Sequence, residues 1–270
     1  MHNTLLFILV SSLFTALSAQ IIDQSFPLGF DDQLYAFETV GRGDWVAAIR
    51  TGTHPAGPYN DSIFVLRFNQ SGDLKWKHLV NAPQPEALYV NDLLSLEDGG
   101  VVLLYTETAC DISSSPNNMV KIDSNGVQVW QKNIDPITFK EIVPNKLVLA
   151  PDGNLLGFHY SGVEKISTAT GTVFSSAKLV GNNNDARLIN LMPGTEDFIA
   201  ANSEGFKLWK KGGDNYVCYG SIEANWVKKM EIISPTTALF LSGKDSKFYF
   251  LNIGSNLTIT PLKDFDRQVR

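Results

Sequence analysis

The chain has 270 residues, of which 44% are apolar and 19% charged, with 22 basic against 28 acidic side chains and a formal net charge of −6. This length suits one large all-β domain or two smaller ones. The charges are scattered along the chain rather than clustered. A mildly acidic surface argues against DNA, RNA or anionic lipid as the main partner.

The first 19 residues have the pattern of a secretory signal peptide. Residues 5–17 are almost wholly apolar, and Leu17-Ser18-Ala19 offers small residues for cleavage before Gln20. No Lys or Arg precedes them, which departs from the usual pattern. A membrane anchor is the alternative, but this run is shorter than the roughly 20 residues that span hydrocarbon. We therefore predict a secreted or periplasmic monomer of residues 20–270, without membrane insertion.

One plan recurs five times between Leu34 and Pro261: four apolar runs, with a turn after the first and third and a loop after the second. Gly72 and Gly126 lie 54 residues apart, and so do Trp76 and Trp130. Asn-Gly and Asp-Gly favour the positive φ angles of hairpin turns. Four strands per repeat of roughly 40 to 54 residues are typical of β-propeller blades. We predict an all-β propeller of one domain, with blades at about 34–80, 88–134, 139–180, 185–223 and 225–264.

The number of blades has two interpretations. Residues 24–29 resemble the outer strand that closes a repeat, yet the fifth repeat already has a fourth strand of its own near residues 257–262. Either the early strand is supernumerary, or these five repeats are part of a larger propeller. Both interpretations stay open at the level of sequence.

The segments Asp123-Ser124-Asn125-Gly126-Val127-Gln128-Val129-Trp130 and Thr168-Ala169-Thr170-Gly171-Thr172-Val173-Phe174 carry a family resemblance. They resemble the Asp, Gly and Trp repeat of PQQ-like bacterial propellers and of related secreted Bacteroidetes proteins. The resemblance covers most of residues 20–270, strongly in the first two repeats and weakly in the last two, where Trp209 precedes its glycine turn. We expect Trp76 and Trp130 to pack between blades.

Quinoprotein dehydrogenases share this type of repeat, so an enzyme has to be considered. Those enzymes generally have more than five blades and an adjacent cysteine pair, whereas Cys110 and Cys218 stand alone. The chain has no Gly-x-Ser-x-Gly elbow, no phosphate-binding loop and no His-Glu-x-x-His site. His54, His78 and His159 are too dispersed to predict a zinc site. We predict no catalytic motif, no metal and no cofactor.

Cys110 and Cys218 fall in the second and fourth repeats, which are not neighbours in a ring. A disulfide needs Cα atoms within about 7 Å. We therefore expect two free thiols. A disulfide is the alternative, because an exported chain can form one.

Long loops in the first two repeats indicate where a partner could bind. They cover residues 51–60, 81–86 and 106–117, and their equivalents in the other repeats are shorter. Binding residues usually lie on loops that a rigid scaffold carries, so we choose His54, Tyr59 and Asp111 as candidate binding residues. Tolerated insertions are the alternative.

Two functions remain open. The first is a non-enzymatic scaffold that binds a protein or a glycan. The second is a hydrolase or lyase at the mouth of the propeller channel, where carboxylates from separate blades could meet without a local motif. Paired carboxylates with raised pKa values would favour the enzyme. Small or apolar lining residues would favour the scaffold.

Overall fold

The computed structural model describes residues 31–41, 43–52, 61–80, 87–108, 117–134, 146–159, 162–180, 188–201, 205–224, 227–242, 244–253 and 257–261. Every regular element in these ranges is a β-strand, so the all-β class is confirmed. The predicted signal peptide at residues 1–19 and the early strand at 24–29 lie outside them. The strands are β1 (Asp31–Val40), β2 (Asp44–Gly52), β3 (Ser62–Phe68), β4 (Leu74–Val80), β5 (Ala87–Ser95), β6 (Val101–Thr108), β7 (Asn117–Ile122), β8 (Gln128–Ile134), β9 (Lys146–Leu149), β10 (Leu155–His159), β11 (Gly162–Ile166), β12 (Val173–Val180), β13 (Leu188–Leu191), β14 (Phe198–Ala201), β15 (Gly205–Gly212), β16 (Asn215–Glu223), β17 (Val227–Ser234), β18 (Thr237–Ser242), β19 (Phe248–Asn252) and β20 (Thr258–Pro261).

Strands that follow one another in the chain pair antiparallel in groups of four. We call the groups sheet 1 (β1–β4), sheet 2 (β5–β8), sheet 3 (β9–β12), sheet 4 (β13–β16) and sheet 5 (β17–β20). Sheets 3 and 4 are also joined at their outer strands, because β12 and β16 pair in parallel from Lys178–Asn215 to Val180–Val217. The sequence repeats did not predict this join.

The sheets stack face to face in chain order, each pair around its own apolar cluster. Tyr105 of sheet 2 lies in the cluster shared with sheet 1, and Leu104 faces sheet 3. Further clusters join sheet 3 to sheet 4 and sheet 4 to sheet 5. Middle strands such as β10 and β14 are therefore buried throughout, whereas the fourth strands alternate between exposed and buried residues.

Tryptophans on the fourth strands lock one sheet onto the next. The Trp76 indole donates a hydrogen bond to the Ser124 carbonyl oxygen at 3.0 Å, and Trp130 donates to the Thr168 carbonyl oxygen at 3.1 Å. The expectation that both tryptophans pack between sheets is confirmed. Each ring lies over the glycine turn of the following sheet, Gly126 or Gly171.

Gly126 and Gly171 are glycines for two reasons. Their φ angles are +85° and +69°, as predicted for hairpin turns. A Cβ atom at either position would also lie 2.8 Å from the indole ring above it. A side chain would therefore both strain the turn and displace the tryptophan.

Charged side chains reinforce the turn side of the stack, where the first hairpins of the sheets lie. Arg67 is buried, and its guanidinium contacts the Asp44 carboxylate at 2.9 Å. It also donates to the carbonyl oxygens of Gly99 at 2.7 Å and Ser124 at 3.2 Å, both in sheet 2. Burial alone would raise the pKa of Asp44, but hydrogen bonds from Lys75 and Arg67 outweigh it and lower that pKa.

A buried histidine lies in the interface between sheets 2 and 3. His159 is 2% exposed and stands on the same face of β10 as Leu155, which packs against sheet 2. Glu164, paired across from Gly157, is fully buried on that face of β11. Burial disfavours the charged imidazole and lowers the pKa of His159 to about 4.

Alanine substitutions of two turn glycines test the tryptophan contact. Gly153 has φ +79° and nothing within 4 Å of a Cβ, so it is a matched control for Gly126. We expect both Gly126→Ala and Gly153→Ala to lower the free energy of unfolding by about 1–2 kcal/mol, because alanine is strained in the left-handed backbone conformation. Gly126→Ala should lower the free energy of unfolding by roughly 1–3 kcal/mol more than Gly153→Ala, because Trp76 must move. Equal urea midpoints for the two variants would contradict the contact.

The His159 pKa predicts how stability depends on pH. Between pH 6.5 and about 4 the unfolded chain binds a proton at this histidine that the folded chain does not, so stability falls as pH falls. The slope from this one group is about 1.4 kcal/mol per pH unit at its steepest. We expect His159→Gln to flatten the curve of unfolding free energy between pH 6.5 and 4.5. An unchanged slope in the variant would show that His159 does not carry this effect.

Candidate functional site

The first strands of the five sheets lie next to one another. β1 contacts β5, β5 contacts β9, β9 contacts β13, and β13 contacts β17. The Asn190 side chain on β13 donates to the Met230 carbonyl oxygen on β17 at 2.9 Å. The first strands therefore form one continuous surface, to which every sheet contributes.

Charges from three of these strands act on a carboxyl group of a fourth. Burial raises the pKa of Glu38 on β1, and the charges of Lys146, Asp92, Lys229 and Glu231 also act on it. These four residues lie on β9, β5 and β17. Glu38 is thus near strands from both ends of the stack.

Asp92 is the most buried carboxylate of this surface. Burial raises its pKa, but both oxygens have partners. One contacts the Lys146 ammonium at 2.8 Å, and the other accepts a hydrogen bond from the Leu147 amide at 2.7 Å. Asp92 therefore fastens β5 to β9, and its oxygens are occupied.

An arginine between two tyrosines lies where the first strands begin. The Arg50 guanidinium carbon is 5.7 Å from the Tyr35 ring centre and 5.4 Å from the Tyr89 ring centre. We call these three residues the Tyr–Arg platform. Tyr35 is 38% and Tyr89 45% exposed, so both rings remain accessible to a ligand.

Polar contacts fix the platform. Arg50 donates to the Tyr35 hydroxyl at 3.2 Å and to the Leu88 carbonyl oxygen at 3.3 Å. Its Nε lies 3.4 Å from the buried Asp61 carboxylate, which also accepts the Leu88 amide at 3.1 Å. The Tyr35 hydroxyl in turn donates to the Gln33 side chain at 2.9 Å. These contacts hold Tyr35 and Arg50 in place, and Arg50 lies against the Tyr89 ring.

The platform lies at the base of the long loops that the sequence singled out. Arg50 stands two residues before the end of β2, and residues 53–60 follow that strand. Residues 81–86 precede β5, which carries Tyr89. His54, Tyr59 and Asp111 themselves lie outside the described residues. The pattern of loop lengths indicated this region, but the three platform residues had no sequence signal.

The opposite end of the sheets holds a shallow cavity of about 270 Å³. The first hairpin turns of sheets 2, 3 and 4 surround it. Its lining includes Glu97, Pro151, Met192 and Pro193. Glu97 and Thr195 are the polar side chains of its lining, so the cavity offers few side chains that could orient a ligand.

The described residues hold no cluster of three or more His, Cys, Asp or Glu side chains that could bind a metal ion. Cys218 is a free, half-buried thiol on β16, and Cys110 lies outside the described residues. No helix in the described part of the chain is long and apolar enough to cross a membrane.

Comparison with known proteins gives little further information. No protein-family model matches the chain, and no curated protein matches it. A solved structure described as the crystal structure of the eukaryotic initiation factor is similar over 84% of this chain, with 9% identity and a TM-score of 0.45. The match spans 55% of the length of that protein.

Proposed function

We propose that this chain is a β-propeller of about five four-stranded blades, exported from the cytoplasm, that binds a protein or a glycan without catalysing a reaction. Export rests on the apolar residues 5–17 and the cleavage pattern before Gln20. The likeness of the repeats to secreted PQQ-like propellers supports the same location. No cofactor is part of this proposal.

The arrangement of the sheets supports the propeller. Blades of a propeller place their first strands around a common axis. The contacts between consecutive first strands, and the influence of Lys229 and Glu231 on Glu38, agree with such an axis. The repeated contacts of Trp76 and Trp130 relate sheet 1 to sheet 2 and sheet 2 to sheet 3 in the same way.

The Tyr–Arg platform is the observation that carries the binding function. Tyr, Trp and Arg dominate the residues that contribute most to binding at protein interfaces. Here Arg50 lies against two half-exposed tyrosine rings, and contacts to Gln33 and Asp61 fix Tyr35 and Arg50. A surface that is ordered in advance loses less conformational entropy on binding.

A hydrolase or lyase is the alternative, and Glu38 is the observation that favours it. A carboxyl group whose pKa is raised can act as a general acid at neutral pH. A glycosidase needs a second carboxylate about 5 to 10 Å away. Asp92 and Glu231 are the neighbouring acids. Lys146 and the Leu147 amide occupy the oxygens of Asp92, and Glu231 is exposed to solvent beside Lys229. The scaffold therefore fits the geometry better.

The scaffold is tested by binding with two double variants. The native protein is screened against immobilised glycans and extracytoplasmic proteins, and each ligand that it retains is measured again with Tyr35→Ala/Tyr89→Ala. We expect affinity to fall at least about tenfold, as when residues central to binding are truncated. Val127→Ser/Phe174→Ser removes two exposed apolar side chains elsewhere and should bind like the native protein.

Two results would contradict the scaffold. The first is that the tyrosine variant binds every retained ligand as tightly as the native protein. The second is that the protein converts a ligand into products and Glu38→Gln abolishes this conversion. That outcome would establish the enzyme instead.

A further inference from the structure

Three of the first strands carry a β-bulge at the same place. The extra residues are Tyr35 in β1, Asn91 in β5 and Lys228 in β17. Each bulge lies at the same distance from the first hairpin of its sheet. The residue four positions after it pairs with the second strand, in the pairs Thr39–Trp45, Ser95–Val101 and Ile232–Ala238. We call Tyr35, Asn91 and Lys228 the bulge residues.

A bulge leaves one residue out of the ladder and changes the direction of its side chain, and bulges are frequent beside functional sites. Tyr35 and Lys228 are exposed, and Asn91 is half-buried. Tyr35 and Asn91 lie on β1 and β5, which contact each other, whereas Lys228 lies on β17, which contacts β13. Tyr35 also belongs to the Tyr–Arg platform.

The groups around Tyr35 and Asn91 combine aromatic faces with paired charges. Tyr35 and Tyr89 offer rings, and Asn91 offers an amide that donates to the Thr106 hydroxyl at 2.7 Å. Arg50 is 3.4 Å from Asp61, and Lys146 is 2.8 Å from Asp92. Donors and acceptors therefore stand side by side, with little excess of either charge.

We propose that the Tyr–Arg platform and the neighbouring Asn91 together bind a neutral glycan built of pyranose sugars. This inference rests on the proposed binding function and names its ligand class. The C–H face of a pyranose carries a slight positive charge, which matches the negative face of a tyrosine ring. Sugar hydroxyls both donate and accept hydrogen bonds, so they suit ion pairs and an amide equally well.

The charge pattern favours a neutral glycan over an acidic ligand. The Arg50 guanidinium is already compensated by Asp61 and donates to the Leu88 carbonyl oxygen and the Tyr35 hydroxyl. An anion would have to compete with the buried Asp61 for this charge. A neutral sugar can stack on Tyr89 and leave these contacts intact.

The test uses neutral hexasaccharides of glucose and mannose as probes, namely cellohexaose, maltohexaose and mannohexaose, together with an acidic oligogalacturonate. Isothermal titration of the native protein should detect at least one neutral probe, with an affinity that is insensitive to salt. Tyr89→Ala should weaken this binding at least about tenfold. Tyr89→Phe should restore it, because the ring and not the hydroxyl carries the stacking.

Phe174→Ser, which removes a ring that is 55% exposed on β12, is the matched control and should bind normally. The inference is overturned if the folded native protein binds none of the neutral probes. It is also overturned if only the oligogalacturonate binds, with an affinity that falls as salt rises, or if Tyr89→Ala binds a neutral probe normally. A protein ligand retained through Tyr35 and Tyr89, without glycan binding, would overturn this inference and leave the scaffold standing.

Discussion

The contact between a tryptophan on the fourth strand and a glycine turn in the following sheet is the constraint that fixes sheets 1, 2 and 3 on one another. It joins two periodic features of the chain, since Trp76 covers Gly126 and Trp130 covers Gly171. The indole N–H bonds to a backbone carbonyl oxygen in the next sheet, so the contact fixes position as well as burying apolar surface. Hydrophobic burial alone would not fix the offset between two sheets.

The other ends of the strands lie away from these contacts. The first strands adjoin one another, and the Tyr–Arg platform lies away from the first hairpins and the tryptophan contacts. Asp92 secures this end by joining β5 to β9. Packed turns at one end of the sheets and the platform at the other are the arrangement expected of a scaffold that carries a binding surface.

The sequence predicted those parts of the fold that depend on short-range chemistry. The positive φ of Gly126 follows from its Asn-Gly turn, and the packing of Trp130 follows from the repeat. The pairing of β12 with β16 could not be predicted, because it joins backbone groups of separate sheets and needs no particular side chains. The Tyr–Arg platform was missed for a similar reason: Arg50 and Tyr89 lie 39 residues apart in the chain, and only the packing of sheet 1 on sheet 2 brings them together.

A double-mutant cycle at the second tryptophan contact tests the central claim most directly. The free energies of unfolding of Trp130→Ala, Gly171→Ala and the double variant are compared with that of the native protein. If the indole covers Gly171, the Gly171→Ala change lowers the free energy of unfolding by less when Trp130 is already alanine. We expect a coupling free energy of about 1–2 kcal/mol between the two changes. Additivity of the two single changes to within about 0.5 kcal/mol would contradict the contact and the stacking of sheets built on it.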